Sequence, residues 1–124
     1  MKNSTFITID GDDIGQKITK YYLSNDIESL SKLNQSMIET TKDIANYLES
    51  IGFSIIFCGA DGVAGHSSIT QSERDIFREI SYIGSKCATF SAGTGSTLRE
   101  SYIALMSAKS NGKAQIYNYK DLAE

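Results

Sequence analysis

Apolar positions change spacing along the chain, and each change marks an element. Thr5-Phe6-Ile7-Thr8-Ile9 alternates and is rich in β-branched residues, which predicts a first strand ended by the polar cluster Asp10-Gly11-Asp12-Asp13. A helical stretch from Ile14 to Leu23 follows. Ile27, Leu30, Leu33, Met37, Ile38, Ile44, Ala45, Leu48 and Ile51 then recur at steps of about three and four, predicting one long helix with these side chains on its inner face. Asn25 or Asp26 can cap its start, and Gly52 stops it. Phe53 to Phe57 predicts a buried strand and Val63 to His66 its hairpin return, with Gly59-Ala60-Asp61-Gly62 as the tight tip. Ser72 opens a further helix with Ile76, Phe77, Ile80 and Ile83 facing inward and Gly84 near its end. Cys87 to Ser91 predicts another strand. Thr97-Leu98-Arg99-Glu100 has the capping-box pattern and opens a helix to about Ser110, after which Ala114 to Tyr117 returns as an edge strand.

Helices therefore fall between strands. The predicted fold is α+β, a ferredoxin-like βαββαβ core with one antiparallel sheet and helices on one face. The length, 124 residues, suits a single domain spanning 1–124.

Charge and composition narrow the partners. The formal net charge is −3 and the pI about 5.1, so no overall basic field attracts duplex nucleic acid, and an anionic ligand must be held locally. No apolar run approaches the roughly 18 residues of a membrane span, and MKNSTFITID has no hydrophobic leader. Cys58 and Cys87 lie outside any C-x-x-C spacing, which argues against a disulfide scaffold or zinc site. A cytoplasmic location is expected.

The acidic turns carry the candidate chemistry. The expected sheet sets the first strand beside the hairpin, antiparallel to its first arm, so that Asp10 and Asp61 meet at one end of the sheet despite their distance in sequence. Two carboxylates forced together repel unless a cation lies between them, and a hard divalent ion with oxygen ligands fills that role. Gly11 leaves room for its carbonyl to join them, and Gly59 and Gly62 let the tip approach a phosphate closely. An isolated Asp-Gly is ordinary turn chemistry. Three acids directly after a strand, however, repel one another without purpose in a plain loop. No glutamate falls where a twelve-residue calcium loop requires one. Lys109 and Lys113, four apart near the end of the last helix, can project to one side as cations for phosphates, or merely complement the helix dipole.

Other features are weaker. Gly93-Thr94-Gly95-Ser96 lacks the lysine of a P-loop and reads as a loop before a helix N-terminus. His66 reads as a strand residue. Tyr21, Tyr22, Tyr47 and Tyr102 fall in helical stretches and read as packing residues. Asn34 and Ser91 stand out by no pattern as readers of a base.

In order along the chain, Ile7-Thr8-Ile9-Asp10-Gly11-Asp12-Asp13-Ile14-Gly15, Gly59-Ala60-Asp61-Gly62 and Ala108-Lys109-Ser110-Asn111-Gly112-Lys113 resemble the signatures of the palm shared by GGDEF diguanylate cyclases and CRISPR polymerases. The DGDDIG opening and short length most resemble mCpol, the minimal CRISPR polymerase family. The resemblance implies nucleotidyl transfer, in which a ribose hydroxyl attacks the α-phosphate of a nucleoside triphosphate and expels pyrophosphate. It implies that Asp10 and Asp61 are the catalytic carboxylates and hold Mg2+, or Mn2+ in its place, with the Gly11 carbonyl. The backbone of Asp13 and Ile14 would then face the triphosphate, Gly59 and Ala60 of the tip would lie against it, and Lys109 and Lys113 would pair with it. The implied product is a cyclic di- or oligoadenylate made from ATP for an unidentified receptor in antiphage defence. Joining two nucleotides in a ring calls for two facing sites, so a homodimer is expected. One departure stands out, because the GGDEF tip carries a second acid after its metal ligand and here that position is Gly62. A palm that binds nucleotide as a sensor without turning it over is the alternative.

Overall fold

The structure is a computed structural model and describes residues 4–69 and 71–122. Along the chain come β1 (Thr5–Gly11), α1 (Ile14–Leu23), α2 (Ile27–Ser50), β2 (Ser54–Gly59), β3 (Gly62–Ser67), α3 (Glu73–Gly84), β4 (Phe90–Gly95), α4 (Leu98–Ser110) and β5 (Ile116–Asn118), ending in a 3-10 turn at Tyr119–Asp121. Local chemistry sets several of these ends. Asp26 accepts from the Ser29 amide at 3.0 Å to cap α2, and Ser72 and Thr97 cap α3 and α4 through the Asp75 and Glu100 amides. Glu100 in turn accepts from the Ser96 amide, one residue before the cap. Past the end of α2, Gly52 adopts a φ of 103° that turns the chain into β2.

The strands form one sheet in the order β2-β3-β1-β4-β5. Its first four members are antiparallel neighbours and make the expected ferredoxin-like core. β5 joins β4 in parallel, so the sheet is mixed rather than purely antiparallel. The cause is α4, whose crossover brings the chain back in the direction of β4. The partner of β1 also differs from expectation. β1 lies antiparallel to the second arm of the hairpin, β3, with β2 one strand further out. The α1–α2 crossover makes β2 run the same way as β1, which leaves the return arm to pair with it.

Helices cover both faces, not one. Ile7, Ile9, Val63, Phe90 and Ala92 share one face and build the main core with Ile44 and Leu48 of α2 and Ile76 and Ile80 of α3. On the opposite face Thr8 hydrogen-bonds Ser101 of α4 at 2.7 Å. The first face is already filled, so the β4–α4–β5 crossover takes the second. The fourth strand spans Phe90–Gly95 rather than the expected Cys87 to Ser91. Gly93 and Gly95 lie inside β4, not in a loop, because a Cβ at Gly93 would strike the backbone of Ser101, Ala104 and Leu105. Cys87 and Ala88, by contrast, turn off the end of α3 by bonding the Gly84 carbonyl at 2.8 and 3.0 Å. Close approach of a helix, rather than flexibility, is why glycines stand there.

The inner-face expectation for α2 holds over Met37, Ile44, Ala45 and Leu48 and fails at Ile27 and Ile38, which are exposed. Tyr22 and Tyr102 lie in helices as expected but are not packing residues, being more than half exposed. His66 sits in β3, stacked on Phe6.

A paired substitution tests the packing account. Gly93→Ala should cost about 3 kcal/mol or more, through overpacking against α4. Gly15→Ala, with nothing within 4 Å of the new methyl, should raise stability by about 0.5–1 kcal/mol through helix propensity. Urea denaturation of both variants checks this; equal losses would contradict it.

Candidate active site

The β1–β3 ladder brings the two acidic turns together. Asp10 lies opposite Gly62, and the Gly11 amide donates to the Asp61 carbonyl at 2.9 Å, clasping the hairpin tip to the end of β1. Only Ala60 and Asp61 lie between the paired Gly59 and Gly62, and Ala60 takes a positive φ of 51°. Non-glycine residues rarely adopt that conformation, so the tip is held there by its surroundings. Gly62 faces Asp10 directly. A Cβ there would stand 2.9 Å from the Ile9 carbonyl oxygen and 3.0 Å from the Asp10 carboxylate. The second acid of the GGDEF tip has no room at this position.

Asp10 is the electrostatic centre. Burial pushes its carboxyl up from an ordinary 3.8 to about 6; the Lys109 ammonium works against this, and the neighbouring Asp61 carboxylate adds to it. Lys109 reaches Asp10 at 2.9 Å, the Gly11 carbonyl at 2.9 Å and Asp12 at 3.6 Å. A cation thus already sits on two of the oxygens expected to hold a metal. Lys113 lies beyond the end of α4 rather than on its side, yet it converges on the same loop through an ion pair with Asp13. That pair holds the Asp13 carboxyl below the usual carboxylate range and pushes the Lys113 ammonium up.

Asp12 has a structural task that the sequence reading missed. It is buried and accepts from Ser91 Oγ at 2.7 Å, Thr89 Oγ1 at 2.8 Å and the Ala114 amide at 3.1 Å. Gly112, Lys113 and Ala114 all have positive φ, which turns the Ala114 amide inward to reach it. Ser91 is therefore a support for the acidic loop, not a base reader. The alternation of hydroxyl residues at Thr89 and Ser91 was the available signal. With Asp12 consumed inside and Asp13 held by Lys113, the carboxylate that stands beside Asp10 is Asp61.

Each of the two acids borders a cavity. One, of about 710 Å3, runs between α1 and α2 from Ala60 and Asp61 past Gly15 to Asn34 and Tyr22. The start of α1 opens onto it: Asp13, at a φ of 62°, precedes the helix, and Gly15 has empty space where a side chain would be. Helix N-termini present free amides that suit anions. The other cavity, of about 690 Å3, lies on the α4 face and is bounded by Asp10.

A scan against protein families matches residues 6–119 to mCpol, the minimal CRISPR polymerase domain. The chain belongs to the mCpol family. No curated protein matches its sequence. Among solved structures, the mCpol fold here resembles the active GGEEF domain of a diguanylate cyclase from Vibrio cholerae, with 16% identity, 98% of this chain and 85% of that chain covered, and a TM-score of 0.66. It also resembles the GGDEF domain of DgcB from Caulobacter crescentus in complex with c-di-GMP, at 10% identity, 97% and 80% coverage and a TM-score of 0.69. The GGDEF domain of PA1120 from Pseudomonas aeruginosa gives 15%, 94%, 82% and 0.67. These likenesses show a shared fold. The polymerase family is what supports a nucleotidyltransferase. Among the described residues, no helix is long and apolar enough to cross a membrane.

The raised Asp10 carboxyl has a consequence for stability. The folded state binds its proton more tightly than the unfolded chain, so this contribution is fully present below about pH 3.8 and is lost as pH rises through about 6. Discounted for partial exposure, it is on the order of 1 kcal/mol. Asp10→Asn should remove this fall between pH 4 and 6.5. Urea midpoints across that range check it; parallel wild-type and variant profiles would contradict it.

Proposed function

We propose that this mCpol chain is a nucleotidyltransferase that joins ATP into a cyclic di- or oligoadenylate with release of pyrophosphate. The observation that carries the reading is the convergence of Asp10 and Asp61, clasped through the Gly11 amide, between two cavities. The donor set suits magnesium. Asp10, Asp61 and the Gly11 carbonyl are all hard oxygen donors, and Lys109 marks two of them as a seat for positive charge. Among the described residues no cluster of three or more metal-binding side chains exists, which suits an ion bound by one or two carboxylates and completed by substrate phosphates. When bound, Mg2+, or Mn2+ in its place, supplies Lewis-acid activation of the attacking hydroxyl and charge neutralisation on the pyrophosphate.

The chain's own groups do the rest. The N-terminus of α1, with the backbone of Asp13, Ile14 and Gly15, receives the triphosphate, and Gly59 and Ala60 hold the tip against it. Lys109 and Lys113, now on acidic partners, exchange those partners for phosphate oxygens when the substrate arrives. The cavity between α1 and α2 takes the base, with Asn34 among its polar edges. An asparagine amide can pair with both the N6 and N7 edges of adenine. The acceptor hydroxyl oxygen bonds the α-phosphorus as the bond to pyrophosphate breaks. Ring closure needs two nucleotides that each act in turn as acceptor and donor, and a twofold homodimer supplies two such sites. The family likeness supports a role in antiphage signalling.

One observation favours a second reading, a nucleotide sensor without turnover: Lys109 sits on Asp10 and the Gly11 carbonyl, where it can keep a metal out. Incubation with labelled ATP and Mg2+, followed by chromatography and mass spectrometry of the products, separates the two. The proposal predicts cyclic adenylate and pyrophosphate, and a loss of about a thousandfold or more in Asp61→Asn with its circular dichroism unchanged. ATP returned intact by the wild type would favour the sensor. Undiminished synthesis by Asp61→Asn would refute the carboxylate assignment.

A further inference from the structure

Lys109 stands between two acids with different tasks. It lies in the last turn of α4, and its ammonium is 2.9 Å from Asp10, 2.9 Å from the Gly11 carbonyl oxygen and 3.6 Å from Asp12. The first two are oxygens that the proposed ion would share with Asp61. An ion bound at about 2 Å from them would fall against the ammonium, and like charges do not share such a space. Asp12 differs from Asp10 in its surroundings. Its side chain is 1% exposed, against 30% for Asp10, and the donors it accepts from, Thr89 Oγ1, Ser91 Oγ and the Ala114 amide, are neutral. Its own amide donates to the Thr89 carbonyl at 2.9 Å, so backbone and carboxylate are both tied to the start of β4. A buried carboxylate with neutral donors still calls for a cation. Lys113 is paired with Asp13, which leaves Lys109 as the ammonium beside Asp12 among the described residues.

We infer that Lys109 and Asp12 form a gate that makes metal binding at Asp10 depend on the nucleotide. The inference rests on the nucleotidyltransferase reading and deepens it by giving Asp12 a part in loading the site. On Asp10 and the Gly11 carbonyl, the ammonium opposes a metal ion that arrives alone. Triphosphate oxygens offer it a stronger set of partners. Asp12, fixed and in need of a cation, then keeps it over the site instead of releasing it into water. The move is short, because only 3.6 Å already separates the two groups. Asp10 and the Gly11 carbonyl are freed in the same step. Lys109 is thus a ligand-binding group, and Asp12 is a positioning residue that acts through it. Metal and nucleotide become coupled, and linkage requires each to tighten the other by the same factor.

That coupling is what the experiment reads. Mn2+ alone is titrated into the full chain and followed by the electron paramagnetic resonance of the free ion. Labelled α,β-methylene-ATP, which cannot lose pyrophosphate, is then bound by equilibrium dialysis with and without Mn2+. Lys109→Met should bind Mn2+ alone about tenfold more tightly than the wild type. The tightening of nucleotide by Mn2+ should be about tenfold smaller in Lys109→Met, and chelation of Mn2+ by the nucleotide itself cancels in that comparison. Asp12→Asn keeps the shape but not the charge, and should lose most of the tightening. In the Lys109→Met background the same change should alter it by less than about twofold. Ser91→Ala, which removes a hydrogen bond and leaves the charge, should stay within about twofold of the wild type. Equal affinity for Mn2+ in wild type and Lys109→Met would overturn the gate. So would a loss in Asp12→Asn no greater than in Ser91→Ala, because Asp12 would then act only as a support. A wild-type chain that binds no nucleotide with Mn2+ present would instead overturn the nucleotidyltransferase reading beneath it.

Discussion

Two carboxylates brought together at the end of a strand, one of them paired with the Lys109 ammonium, set the terms for the rest of this molecule. The β1–β3 register puts Asp10 opposite Gly62, and the Gly11 amide ties the Asp61 carbonyl to the same point. Like charges so placed are unfavourable, and the Asp10 carboxyl is raised first by its burial, against the pull of Lys109, and then by the Asp61 charge beside it. The surrounding structure sustains it. Asp12, satisfied by Thr89, Ser91 and Ala114, anchors the acidic loop to β4 and to the turn after α4, and that turn carries Lys113 onto Asp13. Strain gathers in the same place, at Asp13, Ala60 and the run from Gly112 to Ala114. Positive-φ residues concentrated around one pair of acids fit a site held ready for a ligand, not a set of casual turns.

Much of this was legible in the chain. Element order, the long amphipathic α2 and the span of α1 all followed from spacing and polar punctuation, because these are local properties, and Asp26 was one of the two candidate caps. The meeting of Asp10 with Asp61 was legible too, although the strand that brings it about is the hairpin's second arm. Non-local packing escaped. The glycines of β4 carry a loop-like pattern because α4 lies against their backbone, and the helix on the second face follows from a crossover that no short window reveals. The roles within the DGDD cluster were equally hidden. Position alone cannot say that Asp12 turns inward to three donors while Asp13 faces Lys113.

Exposed aromatic residues gave the least information in sequence and the most in structure. Tyr22 and Tyr102 occupy helices and were expected to pack, yet one lines each cavity. Lys109 has a double character: it offsets the Asp10 and Asp12 carboxylates and stands where it could meet a phosphate.

The most direct measurement is a crystal structure with Mn2+ and α,β-methylene-ATP, using anomalous scattering to locate the ion. The account predicts a peak bound by carboxylate oxygens of both Asp10 and Asp61 and by the triphosphate, with the Lys109 ammonium moved off Asp10. An ion found only on the triphosphate, with Lys109 still seated on Asp10 and the Gly11 carbonyl, would contradict it.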